Sequence, residues 1–386
     1  MENTWWVGPD DLIPEQSDLI ELPADKSFLI KGPPGSGKTN LLLLRANFLA
    51  LGGHVNLRVV VFTRMLQSFL AAGAKQYDFK ASRITTLTKW EQDLLFQYGV
   101  TIVDAPQDFE KRREYLIGKI EQLVETRKLE DLYDVTLLDE AQDYLPSEIR
   151  MFRRLSKTLF AVADSRQKIY EGEDCMEQLS EAVDTTRTLQ FHHRCGIEIC
   201  RLADALTKDR AAHTPMEETS NYDEDARPSQ VKYTLHQSVE DEAGAIIGHL
   251  ILQMKAYPGE LLGVVCPKNE DLQIIWKVIQ ESEIAPHAVL RRSDDDAPFD
   301  PDAPIWLSTM HSFKGLEARA LHIAGLAKLG RFPNQRNLIF TAITRAKTAL
   351  RLYSSGDIPD FLAQALTIFE PQPAKPKIAD AFGKKK

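Results

Sequence analysis

Gly32-Pro33-Pro34-Gly35-Ser36-Gly37-Lys38-Thr39 fits the pattern G-x-x-x-x-G-K-T. Such a loop folds backbone N–H groups around a polyphosphate, and the helix that follows turns its positive end toward the same anion. The pattern has meaning only between a strand and a helix. Here an apolar stretch at 27–31 precedes it, and a leucine-rich helical stretch at 40–51 follows it and stops at Gly52-Gly53. In that setting Lys38 is expected to reach the β- and γ-phosphates of a nucleotide, and the Thr39 hydroxyl to bind Mg²⁺.

A second chemical group lies about a hundred residues on, where the apolar run Val135-Thr136-Leu137-Leu138 ends in Asp139-Glu140-Ala141-Gln142-Asp143. Paired acids at a strand end are often mere solvated caps. Behind a phosphate loop they suit metal-assisted phosphoryl transfer, with Asp139 holding Mg²⁺ through water and Glu140 orienting and deprotonating the attacking water. A cluster of His192, His193, Cys195 and Cys200 has no spacing typical of a four-ligand zinc site.

These groups need a scaffold. At 386 residues the chain is long enough for two cores. A hydrophobic share of 43% with 27% charged residues is ordinary for a soluble globular protein, and no apolar run approaches the length of a membrane helix. Four cysteines without paired spacing read as reduced thiols, which points to the cytoplasm. The net charge of −9 says little about partners, because a local basic groove suffices for nucleic-acid phosphates.

Short apolar runs alternate with helical patterns. Strands are expected at 27–31, 59–62, 135–138 and 159–163, then at 231–235, 261–266, 305–309, 320–323 and 350–354. Helical faces recur around 110–128, 239–254 and 272–279. Buried strands alternating with helices predict parallel sheets covered on both faces, hence two α/β domains. Linkers or exposed loops are expected at 212–229 and 293–304, and a flexible basic tail at 370–386. Trp5-Trp6 suits either a partner anchor or burial on the first domain.

From Asp139-Glu140-Ala141-Gln142 onward the chain resembles the UvrD/Rep-like branch of superfamily-one DNA helicases. Residues 12–16 resemble the Q motif, 59–64 motif Ia, 83–88 motif Ib, 161–170 motif III and 189–194 motif IV. Residues 308–317 closely match motif V and 337–347 motif VI. The resemblance implies two RecA-like P-loop NTPase domains with parallel sheets and an ATP site in the cleft between them. The first domain would be 1–211, carrying the Q motif through motif IV, and the second 212–369, carrying motifs V and VI.

The resemblance also implies residue roles. Gln16 would read the adenine edge, Glu317 would hold the ribose beside Gly315, and His193 stands where an aromatic residue usually packs on the base. Gln167 would couple the γ-phosphate to DNA, and Arg194 and Arg345 would be the arginine fingers. Thr63, Arg64, Thr86, Tyr170 and His311 would lie on the nucleic acid. ATP and Mg²⁺ are the implied cofactors and single-stranded DNA the implied partner, RNA not being excluded.

The chain departs from the family in three places. The Gly-Trp-Arg-Gly continuation of motif III is missing, Thr88 stands at a motif Ib histidine position, and of the inserted arms that of the second domain is essentially absent and that of the first cut down. The implied activity is a single-strand-stimulated ATPase moving 3′ to 5′. The alternative is a nucleic-acid-sensing ATPase switch acting with a partner, such as a nuclease in DNA repair or anti-phage defence, without processive unwinding.

Overall fold

The computed structural model describes residues 12–369 except 75–76, 78, 171, 208–212, 292–302 and 332–333. Trp5-Trp6, the tail 370–386 and most of the 293–304 stretch lie outside the described residues.

Two six-stranded sheets form the molecule. The first contains β1 (Phe28–Lys31), β2 (Leu57–Val61), β3 (Ile84–Thr86), β4 (Tyr133–Leu138), β5 (Ser156–Ala163) and β6 (Thr185–Thr188), in the order β3-β2-β4-β5-β1-β6. The second contains β7 (Gln230–Leu235), β8 (Leu262–Cys266), β9 (Ala288–Leu290), β10 (Ile305–Thr309), β11 (Ala318–Ile323) and β12 (Ala346–Ser354), in the order β7-β12-β11-β8-β10-β9. Every strand pairing in both sheets is parallel. The two domains are RecA-like, and in the first one β5 separates the phosphate-loop strand β1 from the acidic strand β4.

Parallel strands need apolar side chains on both faces, and successive residues here go to opposite cores. Phe28 and Ile30 of β1 join one cluster while Leu29 joins another. Val264 of β8 enters the outer core of the second sheet while Val265 enters the cluster shared by both domains. That shared cluster runs from Leu66 and Phe69 of the first half to Met310, Phe313 and Leu316 of the second.

The helix Ile197–Leu206, placed by the sequence reading in the first domain, packs on β7 and β12 of the second. The stretch expected as a linker or exposed loop is largely exposed from residue 213 on, but it is tied down at several points. Met216 is buried, its N–H donates to Asp204 Oδ1 at 2.8 Å, and the backbone pairs with His192 through Thr219 and Asn221.

Between β3 and β4 the helices Leu87–Gln97 and Phe109–Arg127 both bury their apolar faces in the outer core of the first sheet. Neither projects as an arm. Among the described residues no helix is long and apolar enough to cross a membrane.

Candidate active site

The phosphate loop leaves β1 and enters the helix Lys38–Leu51. Gly35 and Gly37 sit at φ of 80° and 82°, where a side chain is strained. A Cβ on Gly35 would also lie 2.5 Å from Arg194 Cβ, so the loop and motif IV touch at a point only glycine permits. Lys38 is buried and donates to the carbonyls of Gly32 and Pro33, both at 2.9 Å, which aims its ammonium across the mouth of the loop. Burial lowers its pKa to about 8.

The acidic strand end faces that loop. Thr39 donates to Asp139 Oδ2 at 3.0 Å, so a hydroxyl and a carboxylate converge at one point. Two hard oxygens suit Mg²⁺, which takes few protein ligands and completes its shell with phosphate and water. Among the described residues no group of three or more His, Cys, Asp and Glu is arranged to hold a metal ion, and Thr39 with Asp139 suits an ion shared with phosphate.

Glu140 follows at φ 48° and accepts from Gln142 Nε2 at 2.6 Å. The two buried carboxylates are driven apart. Burial and the charge on Glu140 push Asp139 up, whereas Lys314, Arg345 and Lys38 outweigh burial and hold Glu140 down. Glu140 is thus the acid that stays ionised.

The second domain reaches across with long side chains. Lys314 ion-pairs with Asp143, donates to the Gln167 carbonyl at 2.6 Å and lies 3.4 Å from Glu140. Arg345 donates to the Gln167 side chain and, through Nε, to the Thr341 carbonyl at 3.1 Å. Gln167 in turn donates to Asp164 Oδ2 at 2.9 Å. Arg194 pairs with Glu317, which also meets Lys347 at 3.2 Å. The expected arginine finger and ribose acceptor are therefore ion-paired with each other here.

Lys38, Thr39, Glu140, Gln167, Arg194, Glu317, Arg345 and Lys347 open onto one cavity of about 660 Å³, with Asp139, Asp143 and Lys314 behind its wall. Gln16, Gly315 and the exposed His193 line it as well. Gln16 is held by Ile13 N–H and by its own donation to the Ser36 carbonyl, each at 3.2 Å. His192 is spent on the Met216 carbonyl at 2.9 Å, and Cys200 is buried 3.7 Å from it.

The residues expected on nucleic acid fall into two groups. Thr63 and Thr86 use their hydroxyls to accept from Leu66 N and Lys89 N, as helix N-caps, and Thr86 is buried. Arg64 is exposed beside Thr63. Tyr170 and His311 come together with ring centroids 6.0 Å apart. Two aromatics not singled out in the sequence complete a cluster: Phe62 lies 4.2 Å from Tyr170, and the exposed Phe109 lies 5.8 Å from it. Arg113, buried and bonded to Glu148 at 2.6 Å, sits 4.9 Å from the Phe62 ring. Phe62 stood within the motif Ia string, and Lys314 and Asp143 stood inside quoted motifs, but no role was assigned to them.

A sequence profile of the UvrD-like helicase C-terminal domain matches residues 304–353, which hold β10, β11, the helix Gln335–Ile343 and most of β12. Among solved structures the chain is similar to an arterivirus nonstructural protein 10 (helicase). The identity is 14% and the TM-score 0.43, covering 90% of this chain and 64% of that one. It is also similar to the PRRSV helicase, at 14% identity and TM-score 0.44, covering 88% of this chain and 54% of that one. The chain thus spans a little over half to about two thirds of their lengths. No curated protein matches it. The matched segment and the two parallel sheets give the chain a helicase-like architecture.

Proposed function

We propose that the chain is an ATP-hydrolysing motor of the UvrD/Rep helicase type, stimulated by single-stranded DNA and moving along it 3′ to 5′. One observation carries this: Lys314 and Arg345 of the second domain reach Asp143, Glu140 and Gln167 of the first beside the phosphate loop. A hydrolase that needed only one domain would have no use for such bridges. In a motor they make catalysis depend on closure, because cations from the second domain meet the transition-state charge only when the cleft is shut.

In this scheme Lys38 releases its hold on the loop carbonyls and pairs with the phosphates. Glu140 takes the proton of the attacking water. Arg194 and Arg345 turn from Glu317 and Gln167 toward the γ-phosphate, which frees Glu317 for the ribose while Gln16 reads the base. Mg²⁺ held by Thr39 and Asp139 would neutralise phosphate charge. The cluster of Phe62, Phe109, Tyr170 and His311 offers stacking faces for unpaired bases, with Arg64 nearby for the backbone. The four buried, unpaired cysteines fit a cytoplasmic setting.

The alternative is an ATP-driven switch that senses nucleic acid for a partner such as a nuclease. The helices packed down between β3 and β4 favour it, since nothing there reaches duplex ahead of a fork. ATPase rate against single-strand length separates the two. A translocase gains rate with length to a plateau, a switch saturates once its site is filled, and no stimulation by DNA or RNA of any length would sink both.

A further inference from the structure

The base end of the cavity has an odd composition for a nucleotide site. His193, at the position expected to stack on the base, is exposed. The structure brings another aromatic residue there from the segment expected as a linker or exposed loop. Tyr222 lines the same cavity as Gln16 and His193.

Its placement is built from both ends. The backbone of the segment is zipped to motif IV: His192 N–H donates to Thr219 O at 3.0 Å, and Asn221 N–H donates to His192 O at 2.8 Å. Ser220 Oγ donates to Cys195 O at 3.2 Å and accepts from Tyr222 N–H at the same distance. Further on, Glu224 accepts from Ile197 N–H at 2.9 Å, which pins the segment to the start of the helix Ile197–Leu206.

The side chain is fixed as firmly. The Tyr222 hydroxyl lies 2.8 Å from the Arg227 carbonyl, which can only accept, so the hydroxyl donates there. Its lone pair then faces Thr348 Oγ1 at 2.7 Å, and Thr348 itself accepts from Arg319 Nη1 at 3.2 Å. A directed chain from Arg319 through Thr348 and Tyr222 to Arg227 thus anchors the ring by its tip. The ring is half-buried, with its freedom already removed before any ligand arrives.

We propose that Tyr222 is the aromatic wall on which the base of the nucleoside triphosphate stacks. This rests on the ATPase reading above. In place of an aromatic within motif IV, the chain would use one delivered by the neighbouring segment that motif IV itself holds.

Steady-state ATPase of the full chain with saturating single-stranded DNA tests this, with inorganic tripolyphosphate as competitor. Tyr222→Ala is expected to raise KM for ATP roughly tenfold, the scale of one lost base–aromatic stack, with a smaller change in kcat. The inhibition constant of tripolyphosphate, which has no base, should move less than about twofold. Tyr222→Phe keeps the ring and should recover most of the loss.

Equal weakening of ATP and tripolyphosphate in Tyr222→Ala would mean a damaged phosphate grip and would overturn the proposal. So would a Tyr222→Phe protein as impaired as Tyr222→Ala, or a loss that appears in His193→Ala instead. A parent protein that hydrolyses no nucleoside triphosphate would sink the motor reading itself, a different and recognisable outcome.

Discussion

The two domains contribute to the cavity in different ways. The first builds its share from backbone and short side chains close to the sheet: a glycine-shaped loop after β1, the start of a helix, and two acids at the end of β4. The second lines it from the turn between β10 and β11, with Gly315 and Glu317. It sends Lys314 and Arg345 across the gap to partners 171 and 178 residues away in sequence. A backbone cradle exists as soon as its own domain folds. Cross-domain bridges exist only while the two bodies are docked; under the proposed function the phosphate grip of the first half would form without the second, whereas hydrolysis would require both.

That division predicts different phenotypes on the two sides of the cleft. Arg345→Ala should slow hydrolysis roughly 10³-fold or more, the scale of a lost arginine finger, with little change in ATP affinity. Glu140→Gln should cost roughly 10²–10⁴-fold in kcat and likewise spare binding, because only water activation is lost. Lys38→Ala, by contrast, should weaken binding itself. Single-turnover rates beside equilibrium binding of ATP check all three. If Arg345→Ala lost binding and kept its chemical step, the division of labour would be the reverse of the one drawn here.

A smaller effect should appear in stability. Lys314 is the main counter-charge of the buried Asp143, and that ion pair joins the domains. Lys314→Ala strands a buried carboxylate, a change that typically costs about 3–5 kcal/mol. Urea unfolding at neutral pH should show the loss, and Asp143→Asn in the Lys314→Ala background should restore part of it. Were the single variant as stable as the parent, the bridge would be a contact of convenience and closure would rest on the shared apolar cluster alone.

The same contrast explains what the sequence made legible. Nine strands were visible as apolar runs: eight are central strands of a parallel sheet, buried on both faces, and the ninth, β7, is an edge of six residues. The three that were not visible, β3, β6 and β9, are sheet edges of three or four residues, and β6 exposes most of its Thr-Thr-Arg-Thr. Edge strands this short carry no obligatory apolar pattern, so little in their residues announces them. The phosphate loop and the acidic pair were equally plain, since each works through a local spacing. Lys314 and Tyr222 were not, because what defines them is a partner far along the chain. The segment around Tyr222 reads as a linker or exposed loop, and most of it is exposed; what composition does not show is that Ser220 and Glu224 bond it to motif IV and the helix Ile197–Leu206.

The mildest test of the comparison is pH. Lys38 belongs to the first domain, and burial lowers its pKa from 10.5 to about 8, against the pull of Asp164 and Glu140 and with help from Arg194 and Arg345. In the free protein its charge is therefore present below about pH 8 and lost above it. The same shift opposes folding below that point and ceases to do so as pH climbs toward the unfolded value.

The free protein is what kcat/KM reports, so kcat/KM for ATP should fall roughly tenfold between pH 7 and pH 9. At saturating ATP the bound phosphates hold the proton on Lys38, and kcat should stay nearly flat over the same range. Other groups around the cavity do not mimic this limb. Burial pushes the Cys195 thiol up to about 11, and it lowers the pKa of His193, away from this range. A kcat/KM profile level to pH 9.5 would show that Lys38 keeps its charge without phosphate. The first domain's grip would then be complete before ATP arrives, and the loop carbonyls that now hold the ammonium would be the reason.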